Sequence, residues 1–79
     1  MDLFVTTPFG EHFSGQVDYV KLPGELGPFQ VLPGHASMIS TLVNGQMVYA
    51  DKGRVFSLDI EDGLASVCNN KIQVICSPK

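Results

Sequence analysis

The sequence predicts an all-β protein, a flattened β-sandwich or barrel of about nine or ten short strands. Eight glycines and five prolines interrupt the chain so often that only residues 64–77 run beyond ten residues without one, which leaves little room for helices. Between these breaks, apolar and polar residues alternate with a period of two, as in half-buried strands. A chain of 79 residues has the size of one small core, so we expect residues 1–79 to form a single domain.

The alternating runs locate the strands along the chain. Nine segments are predicted, at residues 3–7, 11–14, 17–22, 29–32, 38–43, 46–50, 54–60, 64–68 and 71–76. In the third segment, the apolar positions Val17, Val20 and Leu22 change parity once, which predicts a β-bulge there. Residues 51–54 are predicted to turn the sixth segment back into the seventh, as a second hairpin.

The last two segments form a hairpin around Asn69-Asn70, because asparagine tolerates the left-handed conformation that a two-residue turn requires. The predicted register pairs Cys68 with Lys71, Val67 with Ile72, Ala65 with Val74 and Gly63 with Cys76. Cys68 and Cys76 then point to opposite faces of the hairpin, so we expect free thiols and no disulfide between them.

Charge excludes one broad class of function. Five Lys and Arg stand against eight Asp and Glu, for a net charge of −3 and a pI near 5.0, and no basic cluster occurs. Nucleic-acid binding is therefore not expected. No apolar run approaches the ~20 residues of a membrane span, and the N-terminus does not resemble a signal peptide.

The sequence contains no constellation of reactive groups. His12 and His35 have no metal-ligand spacing with Cys, Asp or Glu, and no nucleophile elbow or phosphate-binding glycine motif occurs. The adjacent carboxylates Glu61 and Asp62 precede Gly63 and are typical of a solvated turn. We therefore expect no catalytic residue, no metal and no cofactor.

Two Pro-Gly pairs, Pro23-Gly24 and Pro33-Gly34, flank a short apolar strand. Such pairs favour tight turns with the glycine in the left-handed region. One interpretation is a structural corner in which His35 hydrogen-bonds a backbone carbonyl. The other is a rigid docking edge, because preorganised backbone with few flexible charges loses little entropy on contact.

Five segments, in this order, resemble the N-terminal domain of the epsilon subunit of rotary ATP synthases. They are Thr7-Pro8-Phe9-Gly10, Phe13-Ser14-Gly15-Gln16-Val17, Leu22-Pro23-Gly24, Val31-Leu32-Pro33-Gly34-His35-Ala36 and Asn69-Asn70-Lys71-Ile72-Gln73-Val74. The resemblance covers almost the whole chain. It implies a flattened sandwich at the foot of the central stalk, peripheral to an energy-transducing membrane and on the cytoplasmic face if bacterial.

The resemblance also implies partners and contact residues. A non-catalytic rotor subunit of this kind couples the gamma subunit to the membrane ring of c subunits. The residues expected near gamma are Thr7, His35 and Ser40. Those expected near the c-ring are Gly24, Glu25, Leu26, Gly27, Pro28, Phe29 and His35. Pro28 stands where an acidic residue is common, so the ring contact would depend on shape and backbone.

Typical family members continue into a helical hairpin that restrains rotation, and these 79 residues contain none. Met1 directly before the first strand favours a naturally short form, which would couple the rotor without braking it. An alternative function is a stand-alone sandwich that binds a peptide or carbohydrate through Tyr19, Phe29 and Tyr49.

Overall fold

The computed structural model describes residues 1–79 and confirms the all-β fold. Eight strands follow one another along the chain: β1 (Asp2–Thr7), β2 (Gly10–Gln16), β3 (Tyr19–Gly24), β4 (Gly27–Val31), β5 (Met38–Leu42), β6 (Gly45–Asp51), β7 (Arg54–Cys68) and β8 (Lys71–Pro78). None of its elements is a helix with the length and apolarity needed to cross a bilayer.

The strands form two layers that share β7. The hydrogen-bonded order is β2-β1-β8-β7-β5-β3-β4, and β6 pairs with both β3 and β7. The first half of β7 pairs with β6 and the second half with β5 and β8. Strands β3, β6, β7 and β5 therefore close into a ring, which makes the sandwich a flattened barrel.

The prediction of nine strands differs from the eight observed because two predicted segments are halves of one strand. β7 runs without interruption for 15 residues. Its pairing with β8 shifts register between Ile60 and Asp62, and such an irregularity bends a strand and lets it change layers. The acidic pair Glu61-Asp62 thus marks a bend within a strand and not a turn.

The predicted bulge at Val17 is wrong. β2 ends at Gln16 and β3 begins at Tyr19, so Val17 lies between two strands. Its side chain is buried nonetheless, and its amide donates to the carbonyl of Met1 at 2.9 Å. The parity changes there because the chain passes from one strand to the next.

Both predicted hairpins are confirmed, and each has a two-residue turn. Lys52, Gly53, Asn69 and Asn70 all have positive φ, as the tight hairpin turns require. The register of β7 and β8 is the predicted one from Cys68 opposite Lys71 to Gly63 opposite Cys76. Cys68 is exposed and Cys76 is buried, and both are free thiols.

The core lies between the two layers and is entirely apolar in its buried side chains. It draws on every strand except β2, with the largest fully buried residues being Leu3, Leu22, Leu42, Met47, Ile60 and Ile72. Alternation along each strand directs these side chains inward and leaves the intervening ones on the outer faces.

Candidate binding surfaces

The middle of the outer face of the β1-β8-β7-β5 layer carries no charged side chain and half of its residues are apolar, whereas Asp2 and Lys71 pair in the row beyond it. One row of paired residues crosses it as Thr6, Ile75, Leu64 and Thr41, and the next as Phe4, Gln73, Ser66 and Ile39. Ile39, Leu64 and Ile75 are exposed, and Phe4 is half-buried. We call these two rows the apolar outer face. Clustered apolar surface without charge is typical of a protein-binding surface.

Thr7 lies at the margin of this face, at the end of β1. Its hydroxyl donates to the carbonyl of Gly10 at 3.0 Å and accepts from the amide of Phe9 at 3.2 Å. These bonds close the turn from β1 to β2 and project Phe9, which is 90% exposed. The role of the Thr7 side chain in the structure is therefore to stabilise the turn that holds Phe9 in solvent.

His35 lies in the connection between β4 and β5, and its side chain is exposed. Its amide donates to the carbonyl of Leu32 at 3.1 Å, and Gly34 between them has φ 83°. This is the left-handed glycine predicted for the second Pro-Gly pair. The ring Nδ1 lies 2.7 Å from the carbonyl oxygen of Ala36, which is the backbone contact that the structural interpretation expects.

The structure does not gather Thr7, His35 and Ser40 into one patch. Thr7 and Ser40 lie on β1 and β5, three strand spacings apart in the sheet, which corresponds to about 14 Å. Ser40 pairs with the buried Ala65, so its side chain points away from the apolar outer face, and its hydroxyl donates to the carbonyl of Thr41 at 3.2 Å. His35 precedes the start of β5.

The six consecutive residues expected at the c-ring form one hairpin tip. Gly24 pairs with Gly27, so Glu25 and Leu26 form the turn between β3 and β4, and Leu26 is fully exposed. The amide of Glu25 donates to the carbonyl of Thr41 at 2.9 Å, which fixes the tip against β5. His35 lies at the other end of β5, about 17 Å away along a five-residue strand.

Within that tip, the side chains divide between surface and interior. Glu25, Leu26 and Pro28 are exposed, whereas Phe29 packs against the core. Gly24 is buried and ends β3 without positive φ, so the left-handed glycine predicted for the first Pro-Gly pair is wrong. The positive φ falls instead on Gly27, at 126°, because Pro23 and Gly24 still belong to the strand.

The aromatic residues of the alternative binding module do not form a shared platform. Tyr49 is buried and packs on the rings of Phe13 and Phe56, with centroids 4.7 and 5.4 Å away. Tyr19 and Phe29 are half-buried, and register places them on opposite sides of their layer. The geometry therefore favours a structural role for all three.

Two side chains have a raised pKa, those of Cys76 and Tyr49. Burial, and then the charge of Asp62, raises the pKa of the Cys76 thiol. Burial also raises the pKa of the Tyr49 hydroxyl. Both shifts keep the groups neutral, which suits core packing and not a nucleophile.

The sequence as a whole matches a known family. The family model described as ATP synthase, Delta/Epsilon chain, beta-sandwich domain aligns with residues 1–78. The chain belongs to this family. Its strands, turns and core are thus those of a delta/epsilon-chain sandwich.

Two relatives of this delta/epsilon-chain sandwich are both named ATP synthase epsilon chain. An ATP synthase epsilon chain of Nitratidesulfovibrio vulgaris (strain DP4) is 37% identical over 75 residues, which cover 95% of this chain and 56% of that protein. The ATP synthase epsilon chain of Geobacter metallireducens is 35% identical over 71 residues, covering 90% and 51%. The chain spans about half the length of these relatives.

Two solved structures contain a chain with the same fold as this delta/epsilon-chain sandwich. A chain in the central stalk and c-ring of the Tetrahymena thermophila mitochondrial ATP synthase aligns with a TM-score of 0.82 at 14% identity, covering 98% of this chain and 63% of that one. A chain of the Euglena gracilis mitochondrial ATP synthase aligns with a TM-score of 0.88 at 19% identity, covering 94% and 48%.

The apolar outer face was not among the contact residues expected from the sequence. Its signal was nevertheless present, because Val74, Ile75 and Cys76 are three consecutive apolar residues in a strand. Strict alternation would place a polar residue at Ile75. An apolar residue on the outer side indicates a second surface that avoids water.

Proposed function

We propose that this delta/epsilon-chain sandwich is a non-catalytic rotor subunit of a proton-translocating ATP synthase. It couples the gamma subunit to the c-ring, and residues 1–79 act as one rigid unit. The observation that supports this most is the family match over residues 1–78. Torque transfer needs stiff, broad contacts and no reactive group, which agrees with a buried core free of polar side chains.

The apolar outer face is the surface proposed to meet gamma. Its eight residues carry no formal charge, so binding at this face would bury no unpaired charge from this chain. Thr7 lies at one margin, and Ser40 lies on β5 beside Ile39. Two of the three residues expected near gamma are thus adjacent to this face, although the hydroxyl of Ser40 points the other way. The third, His35, lies in the connection that precedes β5.

The β3–β4 tip is the surface proposed to meet the c-ring. Glu25, Leu26 and Pro28 project from it, and the backbone bonds to β5 hold it in place. Because the tip is preformed, it loses little entropy on contact. The chain would then be peripheral to an energy-transducing membrane through its complex, on the cytoplasmic face in a bacterium.

The proposal is tested by titrating the purified chain with the gamma subunit of the same organism's synthase. Ile75→Asp places a carboxylate in the proposed interface, and binding should weaken at least about tenfold because a buried unpaired charge is costly. Val55→Asp is the matched control, since Val55 is 63% exposed and Ile75 62%, but Val55 lies in the other layer.

Three results would count against the proposal in different ways. A wild-type chain that does not associate with gamma at all contradicts the rotor function. Equal losses in Ile75→Asp and Val55→Asp contradict the choice of face. Unchanged binding in Ile75→Asp places the gamma contact elsewhere on the chain. Circular dichroism of both variants should show an intact sandwich, because both positions are exposed.

A further inference from the structure

Residues 32–37, between β4 and β5, contain a turn whose central amide points to a distant residue. Leu32-Pro33-Gly34-His35 has the pattern of a type II turn, with proline second, Gly34 at φ 83° and a 3.1 Å bond from the amide of His35 to the carbonyl of Leu32. Such a turn leaves the amide of its third residue without a partner inside the turn. Here that third residue is Gly34.

Asn70 supplies the missing acceptor. The amide of Gly34 donates to the Oδ1 of Asn70 at 3.4 Å, across 36 residues of sequence. The other hydrogen-bond contacts of residues 32–37 are internal, from His35 to Leu32 and from the His35 ring to Ala36. Asn70 thus makes the hydrogen bond that ties this exposed segment to the rest of the sandwich.

Asn70 is itself held in place by its backbone. It is the second residue of the turn between β7 and β8, with φ 63°. Its carbonyl accepts from the amide of Asp2 at 3.1 Å, which links the same turn to the start of β1. The side-chain amide of Asn70 therefore projects from a backbone that three strands position.

We propose that Asn70 is a positioning residue that holds Gly34 and His35 in the orientation in which they meet a partner. The choice of gamma as that partner rests on the proposed function, whereas the anchoring itself is a property of the free chain. A preformed segment binds with less loss of conformational entropy than a mobile one. Asn70 would then raise affinity without touching the partner.

The test compares three variants of the two turn residues. Asn70→Gly removes the acceptor and keeps the left-handed backbone accessible. Asn69→Gly is the matched control, because Asn69 occupies the same turn at φ 51° and its side chain makes no hydrogen bond to the segment. Asn70→Asp keeps a side-chain oxygen acceptor and should rescue the contact.

Hydrogen exchange of the Gly34 amide in the free chain measures the anchor directly. Asn70→Gly should accelerate it roughly three- to tenfold, as expected for the loss of one hydrogen bond, while Asn69→Gly leaves it unchanged and Asn70→Asp restores it. Titration with gamma should show weaker binding in Asn70→Gly alone.

The outcomes test separately the anchor, which is the hydrogen bond from Gly34 to Asn70, and its effect on binding to gamma. Unchanged Gly34 exchange in Asn70→Gly, or an equal change in Asn69→Gly, overturns the anchor. Faster exchange with unaltered gamma affinity overturns the positioning role. If the wild-type chain does not bind gamma, the proposed function fails, and the positioning role toward gamma fails with it, while exchange still decides whether the anchor exists.

Discussion

Gly24 lies directly opposite Leu42, and this single pair joins β3 to β5. It completes the ring of four strands that closes the sandwich. A Cβ on Gly24 would lie 2.8 Å from both the carbonyl oxygen of Gly27 and the ring of Phe29, so any side chain must displace backbone. The lack of a side chain at Gly24 therefore lets Gly27 and the ring of Phe29 on β4 pack directly against the end of β3.

Gly24→Ala should destabilise the chain by about 1–3 kcal/mol, the usual cost of overpacking a tight site. Gly34→Ala is the comparison. It imposes a left-handed alanine at about 1 kcal/mol but meets no atom within 4 Å. Urea denaturation of both variants measures the difference. A smaller loss for Gly24→Ala than for Gly34→Ala would contradict the close approach at Gly24.

Local turn chemistry and alternation predicted the hairpins but not the shared strand. Asn69-Asn70 specifies its turn through two residues that tolerate positive φ, so the register of β7 and β8 follows from sequence. Glu61-Asp62-Gly63 resembles a turn equally well. There, the pairing with β8 keeps the chain extended, and long-range pairing of this kind leaves no local signal.

His35→Ala should weaken binding to gamma by about fivefold or more, since a contact residue of moderate weight contributes about 1 kcal/mol. The stability of the free chain should stay within about 0.5 kcal/mol, because His35 is exposed. His12→Ala provides the control, as His12 is also exposed but lies on the edge strand β2. A His35→Ala chain that loses its fold would support a purely structural role.

Leu26→Ser should weaken association with a detergent-solubilised c-ring, because Leu26 is the fully exposed apolar residue of the proposed contact. Val55→Ser also replaces an exposed apolar side chain by a hydroxyl, but on β7 and outside both proposed contact surfaces. Each variant is first bound to gamma, and the amount of this complex that the immobilised c-ring retains is then compared between the variants. Equal retention of the two variants would show that the ring does not contact the β3–β4 tip.

The proposed binding surfaces were less predictable than the fold because the residues that share a surface depend on which strands become neighbours. The β3–β4 tip is contiguous in sequence, and the family resemblance named residues 24–29 as one segment, which the structure places in one hairpin. The apolar outer face combines Phe4, Ile39, Leu64 and Ile75 from four strands. Ile39, Leu64 and Ile75 are brought together by the antiparallel pairing of β5, β7 and β8. Phe4 joins them through the parallel pairing of β1 with β8, which connects the two ends of the chain.

Cys76 should make the stability of the chain fall in alkaline solution. Burial and the charge of Asp62 raise the pKa of its thiol above that of the unfolded chain. The stabilisation is therefore fully present below the ordinary thiol pKa of about 8.5 and is lost as pH rises through the raised value. Urea midpoints under reducing conditions between pH 7 and 10 should decline less for Cys76→Ala than for the wild type. Cys68→Ala, at an exposed thiol, should follow the wild type, and identical slopes for all three would exclude this role for Cys76.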